Sequence, residues 1–339
     1  MATNPGALRF NNDSLKMELY DGNQWVQIVA VNYEVGIGTT FAAGSSTGSG
    51  TRGLFVGGRS GGSGRSVIDY INIASTGNSV NFGNLSEVKR TPMCFGSSTR
   101  GVAAGGLGPA YSANVDVLTF ASTGSSVDSG FDITTATFNG AGLSNSTRGI
   151  SAGGDAGGSN TNVIEYFTIA ALGNARDFGD LSAAKQSMGS CASSTRGVFA
   201  GGSPLTNIIE FITISTLGNV ATFGNLTSTR ASCGGCSNAV RGLFGGGGPS
   251  LVNTVEYITI STLGNSIDFG DITTSRTTSN AAVSSSTRGV WGGGEVPGGG
   301  TNVIDYVSIM SLGNAIDFGD LVNGANFEGS GCSNGHGGL

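Results

Sequence analysis

The chain has 339 residues, of which 61 are glycine and only 11% are charged, and its formal net charge is −6. This charge argues against nucleic acid as a partner, because phosphate binding needs clustered Lys and Arg. The glycines recur at fixed places between short runs rich in Val, Ile, Phe and Tyr, which predicts many short strands joined by tight turns and not a disordered chain. No run approaches the roughly 18 apolar residues of a membrane-spanning helix, and residues 1–16 lack a signal-peptide pattern. We therefore expect neither membrane insertion nor secretion. We expect the protein to be made in a cytoplasm.

Residues 6–28 lie outside every repeat and predict three short strands. Turns are expected at residues 11–14 and 21–23, where Asn, Asp, Ser and Gly cluster. A β-sheet this small is marginal alone and needs a surface to pack on. We interpret residues 1–38 as a β-hairpin module that attaches the protein to a larger assembly, with Leu8, Phe10, Tyr20 and Trp25 as anchor residues.

The remaining sequence is built from a repeat marked by the dipeptide Arg-Gly. Each Arg opens an apolar run that ends in Gly-Gly, and a loop of variable length leads to a β-branched run such as residues 207–214. A Ser-Thr-Leu-Gly-Asn turn and a fourth run with Phe-Gly-Asp or Phe-Gly-Asn follow, while the run before each Arg is small and glycine-rich. The spacing of 45 to 48 residues predicts four-stranded propeller blades, and the Arg positions are Arg52, Arg100, Arg148, Arg196, Arg241 and Arg288.

The number of blades follows from counting each run. The glycine-rich inner run occurs seven times, if residues 41–46 and 326–334 are included, but the other runs occur six times. We predict an all-β protein in which residues 39–339 form a six-bladed propeller with a C-terminal closing strand. The first and last inner runs would compete for, or share, one position. Seven blades, the last completed by residues 8–31, are the alternative.

The Gly-Gly strand, the acid-aromatic pair in the third run and the aromatic residue in the fourth run resemble the kelch repeat over roughly residues 39–325. The chain departs from kelch motifs in having Phe, as at Phe223, where those motifs usually place Trp, and Val117 replaces the aromatic residue in the second repeat. The resemblance implies a kelch-like propeller.

The N-terminal module and the tandem Ser-Thr-Arg-Gly-Val-Phe-x-Gly-Gly repeats are similar to segments of marine bacteriophage structural and tail-fibre proteins. That resemblance implies a virion component with no catalytic activity: a tail-fibre, receptor-binding or head-decoration subunit. Other virion proteins would bind the module, and a host-surface glycan or receptor would bind the propeller. A homo-oligomer in the virion is compatible with this interpretation.

Six acidic residues recur 14 to 17 positions after the repeat arginines. Because Arg and acid stand at similar distances from a shared hairpin, we expect them to pair across two strands. A catalytic pair need occur only once, so six copies indicate a structural role. The expected pairs are Arg52 with Asp69, Arg100 with Asp116, Arg148 with Glu165, Arg196 with Glu210, Arg241 with Glu256 and Arg288 with Asp305.

A second basic position precedes the inner run, and repeats two and six lack it. Its residues could ring the channel mouth and hold an anion or acidic glycan, or could pair with nearby Glu87, Asp180 or Asp271. Loops after the second strand differ between repeats, so we expect binding on that face. The candidate binding residues are Arg59, Arg65, Lys89, Arg90, Tyr111, Lys185, Arg230 and Arg276.

Residues suited to catalysis or metal binding are sparse. His336 is the single histidine, and Cys233 and Cys236 form a CxxC motif that no second motif completes as a zinc site. Cys191, Cys236 and Cys332 share one repeat position, which suits small buried side chains. We expect no enzyme activity, cofactor, metal or disulfide. The alternatives are a glycan-active propeller enzyme and an intracellular kelch-type adaptor.

Overall fold

The fold is described from a computed structural model of the chain. It describes Leu8–Asn11, Lys16–Tyr20, Trp25–Gln27 and residues 51–339. By contacts between Cα atoms the chain divides into two units, Met1–Ser49 and Gly50–Leu339. The predicted inner run at residues 41–46 and the predicted domain boundary at residues 38 and 39 lie outside the described residues.

The first unit contains a three-stranded antiparallel sheet, as the sequence predicts. Its strands lie in the order β1 (Leu8–Asn11), β2 (Lys16–Tyr20) and β3 (Trp25–Gln27). Leu8 lies opposite Leu19, and Tyr20 lies opposite Trp25.

The second unit is an all-β propeller of six four-stranded sheets. Two additional short hairpins interrupt the blades. In chain order the strands are β4 (Arg52–Val56), β5 (Arg59–Ser60), β6 (Ser63–Gly64), β7 (Val67–Asn72), β8 (Val80–Asn84), β9 (Met93–Gly96), β10 (Arg100–Ala104), β11 (Asn114–Thr119), β12 (Val127–Asp132), β13 (Ala141–Ser144), β14 (Arg148–Ala152), β15 (Val163–Thr168), β16 (Arg176–Asp180), β17 (Gly189–Ala192), β18 (Arg196–Ala200), β19 (Ile208–Thr213), β20 (Ala221–Asn225), β21 (Gly234–Ser237), β22 (Arg241–Gly245), β23 (Thr254–Thr259), β24 (Ile267–Asp271), β25 (Ala282–Ser284), β26 (Arg288–Gly292), β27 (Glu295–Val296), β28 (Gly299–Gly300), β29 (Val303–Ser308), β30 (Ile316–Asp320) and β31 (Ser330–Ser333).

Blades 2 to 5 each use four consecutive strands, beginning with β9, β13, β17 and β21. Blade 6 is β25-β26-β29-β30, because the hairpin β27–β28 is inserted after its second strand. Blade 1 is β31-β4-β7-β8, so the last strand of the chain supplies its inner position. The first strands of all six blades contact one another in a closed ring around the central axis. The six-bladed prediction is confirmed, and the seven-bladed alternative is wrong, because β31 completes blade 1.

The hydrophobic core lies between blades. It consists of six clusters, and each cluster combines residues of two neighbouring blades. The cluster between blades 3 and 4, for example, packs Ile150 and Phe178 of one blade with Phe199 and Ile212 of the next. A single blade therefore buries its apolar faces only when it has a neighbour on each side.

The Gly of each Arg-Gly dipeptide is required by the neighbouring blade. A Cβ at Gly289 of blade 6 would meet the Sγ of Cys236 from the inner strand of blade 5 at 2.7 Å, and a Cβ at Gly53 of blade 1 would meet Cγ2 of Val283 from blade 6 at 2.6 Å. The same inner-strand position of the preceding blade contacts Gly101, Gly149, Gly197 and Gly242. The repeated glycine makes room for this side chain.

The turn between the third and fourth strands also joins two blades. Gly218, at φ 142°, donates its backbone N–H to the Phe178 carbonyl of the preceding blade at 2.8 Å. The Oδ1 of Asn219 accepts the backbone N–H of Asp180 at 3.0 Å. Glycine is favoured at this φ, which other residues rarely adopt. The constancy of the turn follows from these contacts.

In the described part of the chain, no helix is long and apolar enough to cross a membrane.

Gly289→Ala is expected to lower the free energy of unfolding by about 1–3 kcal/mol, because the new methyl group overpacks the contact with Cys236. In a Cys236→Ala background the cost of Gly289→Ala should be smaller, since the Sγ is gone. Chemical denaturation of the four proteins gives this coupling. Equal costs of Gly289→Ala in both backgrounds would contradict the assigned contact.

Candidate interaction face and central channel

The linkers that enter four blades carry a buried basic side chain paired with the acid of that blade's third strand. The Nζ of Lys89 lies 2.9 Å from Asp116, and the Nζ of Lys185 lies 2.6 Å from Glu210. A guanidinium nitrogen of Arg276 lies 2.7 Å from Asp305, and Arg230 pairs with Glu256. All eight side chains are at least 96% buried.

These pairs correct the prediction that Lys89, Lys185, Arg230 and Arg276 ring the channel mouth as binding residues. Carboxylates neutralise all four inside the blades, so no charge remains for an anion or glycan. The alternative that they pair with carboxylates is right, but of the acids expected only Glu87 takes part, at 3.7 Å from Lys89.

Blades 1 and 3 have an acid but no such cation. Asp69 of blade 1 accepts a hydrogen bond from Nδ2 of Asn323 at 2.8 Å. Glu165 of blade 3 accepts hydrogen bonds from the backbone and side chain of Thr134. Burial raises the pKa of Asp69 and of Glu165 above the usual carboxyl range, although these hydrogen bonds oppose it.

Asp116 of blade 2 shows the effect of a cation on the same position. Burial alone would raise its pKa, but the ammonium of Lys89 and hydrogen bonds from Ser126 and Ser86 outweigh burial. The pKa of Asp116 therefore lies below its usual value. A depressed carboxyl pKa stabilises the fold above the unfolded pKa, and that contribution is lost as the pH falls through the folded pKa.

The repeat arginines do not pair with the acids, and the six predicted Arg-acid pairs are wrong. Arg196 lies opposite Thr213, whereas Glu210 lies three positions away, opposite Phe199. The other blades have an equivalent register. Among the described residues, the ion pairs that form use the linker cations instead.

Each repeat Arg instead reaches the next blade. Arg196 donates Nη1–H to the carbonyl oxygen of Ile260 at 2.9 Å, and its guanidinium carbon stands 4.8 Å from the ring centre of Phe211 in its own blade. The bonds to the next blade span 2.6 to 3.2 Å and join Arg52 to Phe120, Arg100 to Ile169, Arg148 to Ile214, Arg241 to Ile309 and Arg288 to Ile73. The six arginines are structural, as predicted, but they bond to backbone carbonyls.

The inner strands are joined around the channel by serine hydroxyls. Ser237 donates its Oγ–H to the Ala192 carbonyl of the preceding blade at 2.7 Å. Ser144, Ser284 and Ser333 make the same bond to the blade before them. These serines are buried, so each bond satisfies a polar group that water cannot reach.

The segment after β31 lies across one end of the channel. Gly337 donates its N–H to the Ser237 carbonyl at 2.9 Å, and a Cβ at Gly338 would collide with the Ser144 carbonyl. The Nε2 of His336 lies 2.9 Å from the carbonyl of Gly96, and its Nδ1 accepts the N–H of Gly338 at 3.1 Å. These bonds fit the neutral Nε2–H tautomer, and burial lowers the pKa of His336.

A small cavity lies beneath this segment. Its volume is about 50 Å³, and the inner strands of all six blades line it. Asn280, just before the inner strand of blade 6, donates Nδ2–H to the carbonyl of Gly140, just before the inner strand of blade 3, at 2.8 Å. A space of this volume holds a few water molecules but no sugar ring, since small-molecule pockets usually measure about 300–1,000 Å³.

The five cysteines are buried free thiols. Cys94, Cys191, Cys236 and Cys332 line the channel cavity, and Cys233 packs in the cluster between blades 4 and 5. Burial raises the pKa of Cys236 and of Cys332 to about 12, so these thiols are not nucleophilic at neutral pH.

The loops after the second strands lie on the same face as the linkers between blades, because isolated bridges join them. Arg90 pairs with Leu107, Gln186 with Ser203, and Thr277 with Glu295. On this face the hairpins β5–β6 and β27–β28 rise from the neighbouring blades 1 and 6. Phe327 forms a β-bridge with Arg59 in the first hairpin, and Asn326 forms one with Thr301, which directly follows the second hairpin. We call this surface the hairpin face; it comprises residues 59–66, 90, 107–113, 155–161, 295–301 and 326–328.

Four of the predicted binding residues belong to the hairpin face. Glu328 lies 2.5 Å from Nε of Arg90 and 3.8 Å from Nε of Arg59. The guanidinium of Arg59 stands 4.4 Å from the ring centre of Phe327, and Arg65 donates to the Asn323 carbonyl at 2.6 Å. All three arginines are partly exposed. The hairpin face therefore brings the three arginines together, and the carboxylate of Glu328 lies beside two of them.

Tyr111 lies further along the hairpin face, where its hydroxyl donates to Asp155 at 3.1 Å and its ring packs against Phe138. Phe327, Glu328 and the second hairpin were missed by the sequence argument. The sequence signal for the second hairpin was the composition of residues 295–301, which differs from that of the other loops and includes Pro297.

The four anchor residues belong to the sheet β1–β3, and its register separates them into two sets. Leu8 and Phe10 alternate with Arg9 along β1 and lie opposite Leu19 and Met17. Tyr20 lies opposite Trp25, and in the register of the sheet this pair alternates with the pairs of Leu8 and Phe10. The attachment role of these residues stays a prediction.

No protein-family model matches this chain, and no curated protein matches it either.

The single histidine makes a pH test possible. We expect the Hε1 resonance of His336 in the folded protein to titrate below the ordinary value of 6.5, because burial disfavours the imidazolium. The stabilising contribution of neutral His336 should be full above pH 6.5 and be lost as the pH falls below it. The urea-unfolded protein is the reference. A folded pKa equal to or above the unfolded one would refute the assigned contacts.

Lys185→Met is expected to lower the free energy of unfolding by about 3–5 kcal/mol, because Glu210 would be left buried without its cation. The matched control is the double variant Lys185→Met, Glu210→Gln, which removes both charges and should recover most of the loss. Urea denaturation at pH 7 measures both. A loss below about 1 kcal/mol for the single variant, as for an exposed pair, would show that the pair is not desolvated.

Proposed function

We propose that this chain is a structural subunit of a bacteriophage virion, without catalytic activity. The propeller would present the hairpin face to a protein or to a glycan on the host surface. The N-terminal module would attach the subunit to other virion proteins. In this proposal the propeller is of the kelch-like kind.

One observation carries the interaction role. The residues that recur in every blade are used in contacts within and between blades, while the loops of the hairpin face differ from blade to blade. Arg196, for example, bonds to the next blade, and Glu210 is neutralised by Lys185. The diverse loops remain exposed at residues such as Ser60 and Pro297. Binding residues occur preferentially on such loops above a rigid scaffold.

The chemistry of the channel supports a role other than catalysis. Carboxylates that could act as acid and base are buried beside cations in blades 2, 4, 5 and 6. The channel cavity of about 50 Å³ is lined by thiols, serines and backbone, and its thiols are protonated at neutral pH. A glycan-active enzyme would need a larger pocket with two accessible carboxyl groups.

The assignment to a virion rests on the resemblance of residues 6–28 and of the tandem repeats to phage structural proteins. The small sheet β1–β3 supports the attachment role in physical terms. A sheet of three strands with three to five residues each is marginal alone. A neighbouring subunit would supply the surface on which they pack.

The test is deletion of residues 1–36 from the chain in a phage that encodes it. We expect a β-rich protein that still melts cooperatively, because all six blades lie within residues 51–339. Mass spectrometry of purified particles should find the full chain and not the deleted one. Replacement of residues 295–300 by Gly-Ser of equal length is the matched control, which should incorporate but attach less well to host cells.

Incorporation of the deleted chain into particles would contradict the role of the module. Absence of the full chain from particles would refute the virion assignment. Turnover of glycan substrates by the purified propeller would favour the enzyme class instead.

A further inference from the structure

Blade 3 lacks both of the side chains that most other blades place beside the third-strand acid, whereas blades 1 and 2 each lack one of them. Thr137 occupies the linker position that holds Lys89, Lys185, Arg230 or Arg276 in other blades. Ser151 occupies the second-strand position opposite the acid, where blades 1, 4, 5 and 6 have Phe55, Phe199, Phe244 and Trp291. Blade 3 therefore has neither the cation nor the aromatic side chain beside its acid.

A cavity of about 30 Å³ lies at this place. Its lining includes five residues with side-chain oxygens: Glu165, Ser151, Thr137, Thr134 and Thr161. This volume exceeds the roughly 10–15 Å³ that one water molecule needs. Thr134 and Thr135 are exposed, which gives the cavity a route to solvent.

Two buried groups in this cavity lack the partners that their chemistry requires. Glu165 is only 6% exposed, and its hydrogen bonds come from Thr134 alone, without a cation. Ser151 is 2% exposed, and its Oγ has no hydrogen-bond partner. A buried carboxylate and an unpaired hydroxyl both cost free energy unless something binds them.

Blade 2 shows which chemistry the equivalent place accepts. The Nζ of Lys89 lies 2.9 Å from Asp116 and 2.8 Å from both the carbonyl and Oδ1 of Asn114. At hydrogen-bond distance the ammonium group thus binds one carboxylate and two neutral oxygens, with Glu87 further away at 3.7 Å. Blade 3 keeps the carboxylate and neutral oxygens, but its own chain provides no ammonium group.

We propose that the cavity of blade 3 binds a small monovalent cation, an ammonium or alkali-metal ion, between Glu165 and Ser151. One carboxylate and several neutral oxygens match a single positive charge and the oxygen ligands that hard cations prefer. The described residues contain no cluster of three or more His, Cys, Asp or Glu, which a multivalent metal site would use. The bound ion would do for blade 3 what Lys89 does for blade 2.

The electrostatics of Glu165 agree with this site. Burial raises the pKa of Glu165, whereas the pKa of the Lys89-paired Asp116 is lowered. A cation beside Glu165 favours its ionised form and would reverse that shift. Asp177 is the other charged group that acts on Glu165, and it is also negative.

The test compares melting temperatures of the full chain in ammonium, potassium, sodium and choline chloride at equal ionic strength and neutral pH. Choline is too large for the cavity. We expect at least one small cation to raise the melting temperature by about 2 °C or more over choline. The order of the three small cations identifies the preferred ion.

Variants assign the effect to this cavity. Glu165→Gln should abolish the difference between cations, and so should Thr137→Lys, which supplies an internal ammonium group. The matched control is the double variant Lys185→Met, Glu210→Gln, which removes both charges of the buried pair in blade 4 and should keep the difference. If Thr137→Lys fails to fold, Glu165→Gln and its control decide.

A wild-type melting temperature that is equal in all four salts would overturn the proposal, and the cavity would then hold water. A cation effect that survives Glu165→Gln would overturn it as well. A crystal grown in rubidium chloride should show an anomalous peak between Glu165 and Ser151, and a peak only elsewhere would contradict the site.

Discussion

Contact between neighbouring blades is the constraint on which the rest of the structure depends. A blade of four short strands has two apolar faces and cannot bury either by itself. The six core clusters all lie between blades, and the repeat arginines, inner-strand serines and Gly-Asn turns all bond across the same boundaries. Closure by Ser330–Ser333 gives blade 1 its inner strand, so that the ring has no end blade. Most of the repeated sequence is explained by this requirement.

The charged residues divide into two groups with different consequences. The buried linker cations neutralise the third-strand acids and leave the blade interiors without net charge where both are present. In blades 1 and 3 no linker cation neutralises the third-strand acid. Asn323 donates a hydrogen bond to Asp69 in blade 1, and the cavity beside Glu165 in blade 3 is the site of the proposed cation. The arginines of the hairpin face are partly exposed, and although Glu328 lies beside Arg59 and Arg90, they are the cations that we propose for recognition. Arginine thus has a structural role where it is buried, and the proposed binding role belongs to arginines that are partly exposed.

The sequence predicted the fold well because its signals are local. The period of the Arg-Gly dipeptide, the hairpin glycines and the alternating apolar runs identify blades, strands and the variable face without any knowledge of long-range contacts. The side-chain pairs were predicted wrongly because they depend on register and on the neighbouring blade. Arg196 and Glu210 were expected at similar distances from their shared hairpin, but the register places Glu210 opposite Phe199 and Arg196 opposite Thr213. The carbonyl that Arg196 reaches belongs to Ile260, 64 residues later, where backbone carries no sequence signal. The linker cations had a signal, since they recur before the inner strands, but their depth of burial depends on packing.

Hydrogen exchange of a chain that ends at residue 329 tests most directly whether the six blades form one cooperative ring. That chain lacks β31 and therefore the inner strand of blade 1. If closure holds the whole ring together, the most protected amides of β17 and β18 in blade 4, on the opposite side, should lose protection by the same factor as those of β4 and β7 in blade 1. Faster exchange confined to β4, β7 and β8, with blade 4 unchanged, would show that the blades are stable independently and would contradict the account.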